Sequence, residues 1–182
     1  MLVASVAVSC AADDRPGATA DQSGTTVTAT ASGQTVRGTG YSFRLPTGWR
    51  DVTTEAKQNI TQKLDLVATG PPVGGATPNV VVTVDPSRGL ALADHLAAAR
   101  KEQAEVFQDA RHLGRPRPLS LAGTPALVHE YTYTLNGRPA RGRQVACLRE
   151  GRVLFLTFTV DQQTFATNLA ALQQMLSSWS WG

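Results

Sequence analysis

Residues 124–182 read TPALVHEYTYTLNGRPARGRQVACLREGRVLFLTFTVDQQTFATNLAALQQMLSSWSWG, and this stretch decides the fold. Residues 125–135 form a first strand, and Asn136-Gly137 is the strongest short-range hairpin signal a sequence carries. Residues 141–149 form the second strand, Glu150-Gly151 the next turn, and residues 152–160 the third strand. In that third strand Leu154, Leu156, Phe158 and Val160 share one face, while Val153, Phe155, Thr157 and Thr159 share the other. Bulky residues on both faces predict a central strand covered on both sides. Asp161 is placed to cap a helix over 162–176, whose apolar positions Phe165, Leu169, Leu172 and Leu176 step at +4, +3 and +4.

Working outward from the meander, residues 90–109 predict the other long helix. Leu92, Leu96, Ala99, Gln103 and Phe107 make one stripe, with Ala93, Ala97 and Ala104 beside it for close packing on a sheet. Residues 111–117 read as a basic connector. Asn79 to Val84 is a β-branched run bounded by Pro78 and Pro86, a strand covered on both faces. Residues 70–78 are a Gly/Pro-rich loop, 64–68 a short strand, and 54–63 a short polar helix with Ala56, Ile60 and Leu64 at helical spacing. The folded part opens at Thr39: Tyr41, Phe43 and Leu45 alternate, Pro46 to Gly48 turns, and Trp49 starts a second short strand. Trp179 and Trp181 at the other end predict a closing strand or clasp over the core. The class is therefore α+β: a largely antiparallel sheet with two main helices, 90–109 and 162–176, packed on it.

The N-terminal part has a different character. A short apolar run over residues 2–9 ends at Cys10, and Ala7-Val8-Ser9-Cys10 resembles the end of a bacterial lipoprotein signal peptide, where a small residue precedes the cysteine that is acylated. Ala7 stands where Leu, Val or Ile is usual, and no Lys or Arg precedes the run. Residues 11–37 hold no aromatic residue, no Leu and no Ile, so they cannot bury enough surface to offset their ordering entropy. A flexible tether of this length reaches on the order of 30 Å. The expected organisation is a signal-peptide remnant over 1–9, an acylated Cys10 with its tether over 10–37, and one folded domain over 38–182. It places the protein on the outer face of the cell membrane, held there through Cys10.

Composition narrows the role. The 182 residues are 42% hydrophobic and 17% charged, enough for one domain plus a tail. A net charge of +3 is too mild to imply a nucleic-acid partner. Fourteen of the 17 cations are arginine, which fits carboxylate or phosphate contacts and equally a GC-rich genome. No run of 18 apolar residues is present. Cys10 and Cys147 do not form a disulfide framework.

Motifs for chemistry are weak throughout. His129 and Glu130 are neighbours on a strand, so their side chains leave opposite faces and cannot act on one substrate together. His129 shares its face with Leu127, Tyr131 and Tyr133 and reads as a structural histidine. Asp109 and His112, three apart at the end of the 90–109 helix, lack a third metal ligand nearby, and the helix dipole explains His112. Cys147 reads as a small apolar core residue rather than a nucleophile. No G-x-S-x-G, P-loop or G-x-G-x-x-G occurs, and Asn59-Ile60-Thr61 matches a glycosylation sequon of little weight in a bacterial protein. No enzymatic activity and no cofactor are expected. The strongest lead is basic: Arg138, Arg141 and Arg143 surround the first hairpin turn, and Arg149 and Arg152 flank the second. Arg141 and Arg143 share a face, so two guanidinium forks are candidate contacts for an anion or an acidic partner. A solvated hairpin tip, partly neutralised by Glu130 and Glu150, is the alternative.

The opening Tyr41-Ser42-Phe43-Arg44-Leu45-Pro46-Thr47-Gly48-Trp49-Arg50 resembles the F-x-x-P-x-G-W start of PsbP-like α/β/α sandwich domains. The finish resembles it too: a strand from Gly151 to Val160 runs into a helix and ends in Ser-Trp-Ser-Trp. With the Cys10 box, the chain resembles actinobacterial LpqN-type lipoproteins of that superfamily. The resemblance implies an antiparallel sheet sandwiched by helices and a role in the cell envelope. It transfers no site residues. A non-enzymatic protein-interaction or assembly module is the expected role. The alternative is a carrier or sensor of an envelope lipid or other apolar small molecule, which needs an apolar pocket lined by residues such as Phe107, Phe158 and Trp179.

Overall fold

Strand Arg152–Asp161 runs through the middle of the sheet, with eight of its ten residues buried. In the computed structural model, residues 33–59 and 63–182 are described. In chain order the elements are Thr35–Gly38 (β1), Tyr41–Arg44 (β2), Arg50–Asp51 (β3), Thr53–Asn59 (α1), Leu66–Thr69 (β4), Asn79–Pro86 (β5) and Leu92–Val106 (α2). They continue with Gln108–His112 (β6), Arg117–Leu121 (β7), Thr124–Leu135 (β8), Arg138–Arg149 (β9), Arg152–Asp161 (β10), Phe165–Ser177 (α3) and Ser180–Trp181 (β11). The main sheet has the order β3-β4-β5-β10-β9-β8-β6, and β7 also pairs with β8. A small sheet has the order β1-β2-β11. Every strand pair among the described residues is antiparallel. The architecture is thus α+β, with antiparallel sheets and three helices.

The meander forms as its turns dictate. Asn136-Gly137 and Glu150-Gly151 all take positive φ, 50° and 74° at the first turn and 49° and 70° at the second, the requirement of a twist-matched two-residue hairpin. A third turn of the same kind, Ala122-Gly123 at φ 46° and 81°, joins β7 to β8. Alanine there hides the signal that asparagine gives at 136, so the sequence announces only three of the ladder's four meander strands.

Two cores lie on the two faces. On one face Leu154, Leu156, Phe158 and Val160 meet Val80, Val82, Val145 and Cys147, and α3 covers them with Phe165, Leu172 and Met175. The small sheet closes the same core: Tyr41, Phe43 and Trp179 stack at 4.5 and 5.1 Å ring separation, and Trp179 is the buried half of the expected clasp. On the opposite face α2 buries Leu96 and Ala99 against Ala146, Val153 and Phe155, while α1 packs Ala56 near Val67 and Val81. Asp161 caps as expected, accepting from the Gln163 N–H at 2.9 Å, although a 3-10 turn over Gln162–Thr164 precedes the α-helix.

Four expectations are corrected. Helix α2 ends at Val106, because Phe107 is extended and Asp109 takes φ 57°, where a helix cannot continue. Asp109 and His112 therefore stand on β6 rather than at the end of the helix. The basic connector is in fact the end of β6, a short turn and the start of β7, both laid along β8. The folded part also begins before Thr39: Thr35–Gly38 pairs with β2 and buries Val36, so residues 35–37 belong to the sheet. Cys10, the run over 1–9, the tether up to residue 32, and Ile60 and Thr61 lie outside the described residues.

Candidate functional site

The strand register brings arginines together in a way their sequence spacing only half shows. Glu130 on β8 pairs with Arg143 on β9, and Arg141 lies two residues further along β9 on the same face. Arg141 Nε donates to Glu130 Oε2 at 3.1 Å and Arg143 Nε to Oε1 at 3.0 Å, and each Nη2 donates to the same oxygen as its Nε. Arg117, from β7, stands 3.6 Å from Oε1. Glu130 is only 7% exposed. Burial pushes its carboxyl up, but the hydrogen bonds and charges of Arg141 and Arg143 outweigh this and hold it below the usual carboxylate range. Phe165, the first residue of α3, lies flat beneath both guanidiniums, at 4.2 Å from Arg141 and 5.5 Å from Arg143.

Arg138 does not join this group. It donates to the carbonyls of Gly74 and Gly75 at 2.9 Å and meets Asp161 at 3.5 Å, so it pins the β4–β5 loop over the start of the 3-10 turn. Of the three expected contact residues, then, two form one cluster and the third braces a loop. Arg117 was missed, because its neighbourhood read as a connector. At the second turn Arg149 pairs with Glu150 at 3.0 Å and lies 5.0 Å from the Trp181 ring.

Beside that second turn a half-open cleft of about 440 Å³ lies between the β1–β2 turn and the β5–β10 strand ends. Charges of both signs line it: Lys63, Asp65, Asp85, Glu150 and Arg152, with Leu64, Val84 and Pro86 between them. Asp65 holds the β1–β2 turn by accepting from the Thr39 N–H at 2.9 Å and from its hydroxyl at 2.6 Å. Phe107, Phe158 and Trp179 do not line one pocket. Phe158 and Trp179 are packed in the α3 core, whereas Phe107 stacks on Tyr133 at 4.5 Å on the opposite face of the sheet.

The histidines are structural. Under α2, His129 Nε2 donates to Gln103 Oε1 at 3.1 Å; Gln103 reaches Gln144, and Gln144 donates to Thr157 at 2.9 Å. Burial, then the neighbouring His112 and Arg100, lower His129 to about 3, so it is neutral at physiological pH. His112 donates to the Arg100 carbonyl at 3.0 Å, and no group of three metal-ligating side chains exists among the described residues. Cys147 is fully buried and burial raises its thiol to about 11, which leaves it unreactive. No described helix is long and apolar enough to cross a membrane.

Residues 41–178 match the family model described as DcrB. No curated protein matches the sequence. Among solved structures the chain is similar to the cyanobacterial PsbP (CyanoP) of Synechocystis sp. PCC 6803, at TM-score 0.60 and 15% identity over 87% of this chain and 98% of that one. It is similar to LpqN of Mycobacterium tuberculosis, a protein involved in cell envelope biogenesis, at TM-score 0.56 and 15% identity over 84% and 86%. A protein of unknown function from Pseudomonas aeruginosa, PA94, matches at TM-score 0.54 and 21% identity over 73% and 85%. At these identities the likeness is one of fold.

Proposed function

The chain belongs to the DcrB family, and from that premise we propose that it is a cell-envelope protein of LpqN-like type, anchored to the outer face of the membrane through acylated Cys10. It works by binding a protein partner rather than by catalysis. The observation that carries the partner reading is the charged cleft: Lys63, Asp65, Asp85, Glu150 and Arg152 offer both signs of charge to a polypeptide. An apolar carrier site needs an apolar lining, and the aromatic side chains that would have lined one are divided between two cores.

The anchor is tested by labelling cells with an alkynyl palmitate and fractionating them. The full chain takes the label and sediments with membranes, and Cys10→Ser loses both. Label retained by the variant overturns the anchor. For the cleft, a photo-crosslinking residue at position 152 captures one envelope protein in place, and Asp85→Lys abolishes that product. A crosslink indifferent to Asp85→Lys overturns the cleft as the contact.

A further inference from the structure

The face of the main sheet around Glu130 carries more positive charge than its internal carboxylates neutralise. Across the ladder Arg111 pairs with Thr132, Thr132 pairs with Arg141, and Glu130 pairs with Arg143. Arg117 opposes Val128 and reaches Glu130 from the β7 side. Side chains opposite one another in an antiparallel ladder share a face, so Arg111, Arg117, Arg141 and Arg143 surround Glu130 and Thr132 on one surface. The second carboxylate here is Asp109, which accepts from Thr134 at 3.0 Å. Among the described residues four guanidiniums thus face two carboxylates, a surplus of two positive charges.

Two of the four are held rigid. Each guanidinium has five N–H donors, and Glu130 engages the Nε and Nη2 groups of Arg141 and Arg143. Among the described residues no hydrogen bond engages their Nη1 groups, and both forks are already fixed by Glu130 and the Phe165 ring. Such preorganisation lowers the entropy lost when a ligand binds. Arg111 and Arg117 are exposed and supply mobile charge at the rim, and the half-buried Leu119 and Val128 adjoin them on the core side. A tetrahedral oxyanion suits two fixed forks and two flexible ones.

We propose that this face binds a phosphate group, carried by the headgroup of an anionic phospholipid. The lipid source rests on the envelope reading above; the phosphate site does not. Bound so, the domain lies with its β7–β8–β9 face toward the membrane and leaves the Thr39–Arg152 cleft to a partner.

The test uses the full chain with Cys10→Ser, so that an acyl group contributes nothing to membrane binding. Inorganic phosphate shifts the Arg141 and Arg143 Nε–H resonances saturably. The protein also cosediments with vesicles of phosphatidylglycerol in phosphatidylcholine. Arg111→Gln with Arg117→Gln, both exposed, lowers the melting temperature by no more than about 4 °C, because Arg141 and Arg143 still hold Glu130 when the Arg117 ion pair is lost. It weakens vesicle binding roughly thirtyfold, the expected loss for two basic side chains at an anionic surface. Arg37→Gln with Arg88→Gln removes equal charge elsewhere and changes it less than about twofold. Phosphate shifts without vesicle binding keep the site and overturn the lipid source. Equal shifts with acetate overturn the phosphate assignment in favour of a carboxylate-bearing protein. No shifts at either arginine overturn the site itself. An unacylated Cys10 in the palmitate labelling of the unsubstituted chain overturns the anchor alone.

Discussion

Gly142 lies directly opposite Tyr131 on the β8–β9 ladder, and the tyrosine ring covers it so closely that a Cβ at 142 would fall 2.6 Å from the ring. Tyr131 is wholly buried and stacks between His129 at 5.6 Å and Tyr133 at 5.5 Å, with Phe107 at 6.1 Å. The glycine is required for room rather than for backbone conformation. It also stands between Arg141 and Arg143, so the ring below fixes the strand that sets both guanidiniums on the opposite face.

Gly142→Ala is therefore expected to lose about 2–3 kcal/mol of stability through overpacking. Urea denaturation of the two proteins, with unchanged m-value, checks it. A loss under about 0.5 kcal/mol would mean that the aromatic tier shifts freely.

Glu130→Gln leaves two half-buried guanidiniums without their counter-charge. A loss of about 2 kcal/mol at pH 7 is expected, less than for a fully buried pair because Arg141 and Arg143 keep some exposure to water. Glu130's folded pKa lies below its ordinary 4.5, so its contribution is complete above that value and is lost as pH falls through the folded pKa. The gap between wild type and variant should accordingly narrow as pH falls below 4.5. Parallel denaturation curves at pH 7 and pH 3 decide this, and a gap of the same size at pH 3 assigns the loss to packing.

His129 gives a second pH window above the first. The unfolded histidine takes a proton near 6.5, whereas the folded one resists until about 3, so stability falls as pH drops through 6.5. His112 shifts in the same direction. About 1.5 kcal/mol should vanish between pH 6.5 and pH 5, before Glu130 contributes. His129→Gln is expected to flatten that slope by about half or more, leaving the His112 part. An unchanged slope would place the titration elsewhere.

How far the chain was legible depends on the range of the signal. Asn136-Gly137 and Glu150-Gly151 announce their turns locally, and the two-sided apolar pattern of residues 152–160 announces a central strand. The cap at Asp161 was equally local. Ala122-Gly123 was illegible, because alanine adopts positive φ only when flanking strands enforce it. The end of α2 was misplaced for a related reason: Phe107 continues the apolar stripe but serves Tyr131 and Tyr133 in the sheet. Arg141 and Arg143 could be placed on one face by period-two alternation, yet nothing in the sequence brings Arg111 and Arg117 to them.

By itself, the sequence determined the α+β class, the antiparallel meander, the central place of residues 152–160 and the structural character of His129 and Cys147. Each follows from residue periodicity or turn chemistry acting over a few positions. Tertiary structure alone decided that Glu130 would gather three arginines, that Arg138 would brace the Gly74–Gly75 loop, and that Phe107, Phe158 and Trp179 would be parted between two cores. Those outcomes depend on strand order and register, which pair residues tens of positions apart. No local propensity specifies such pairings; the joint burial of both sheet faces does.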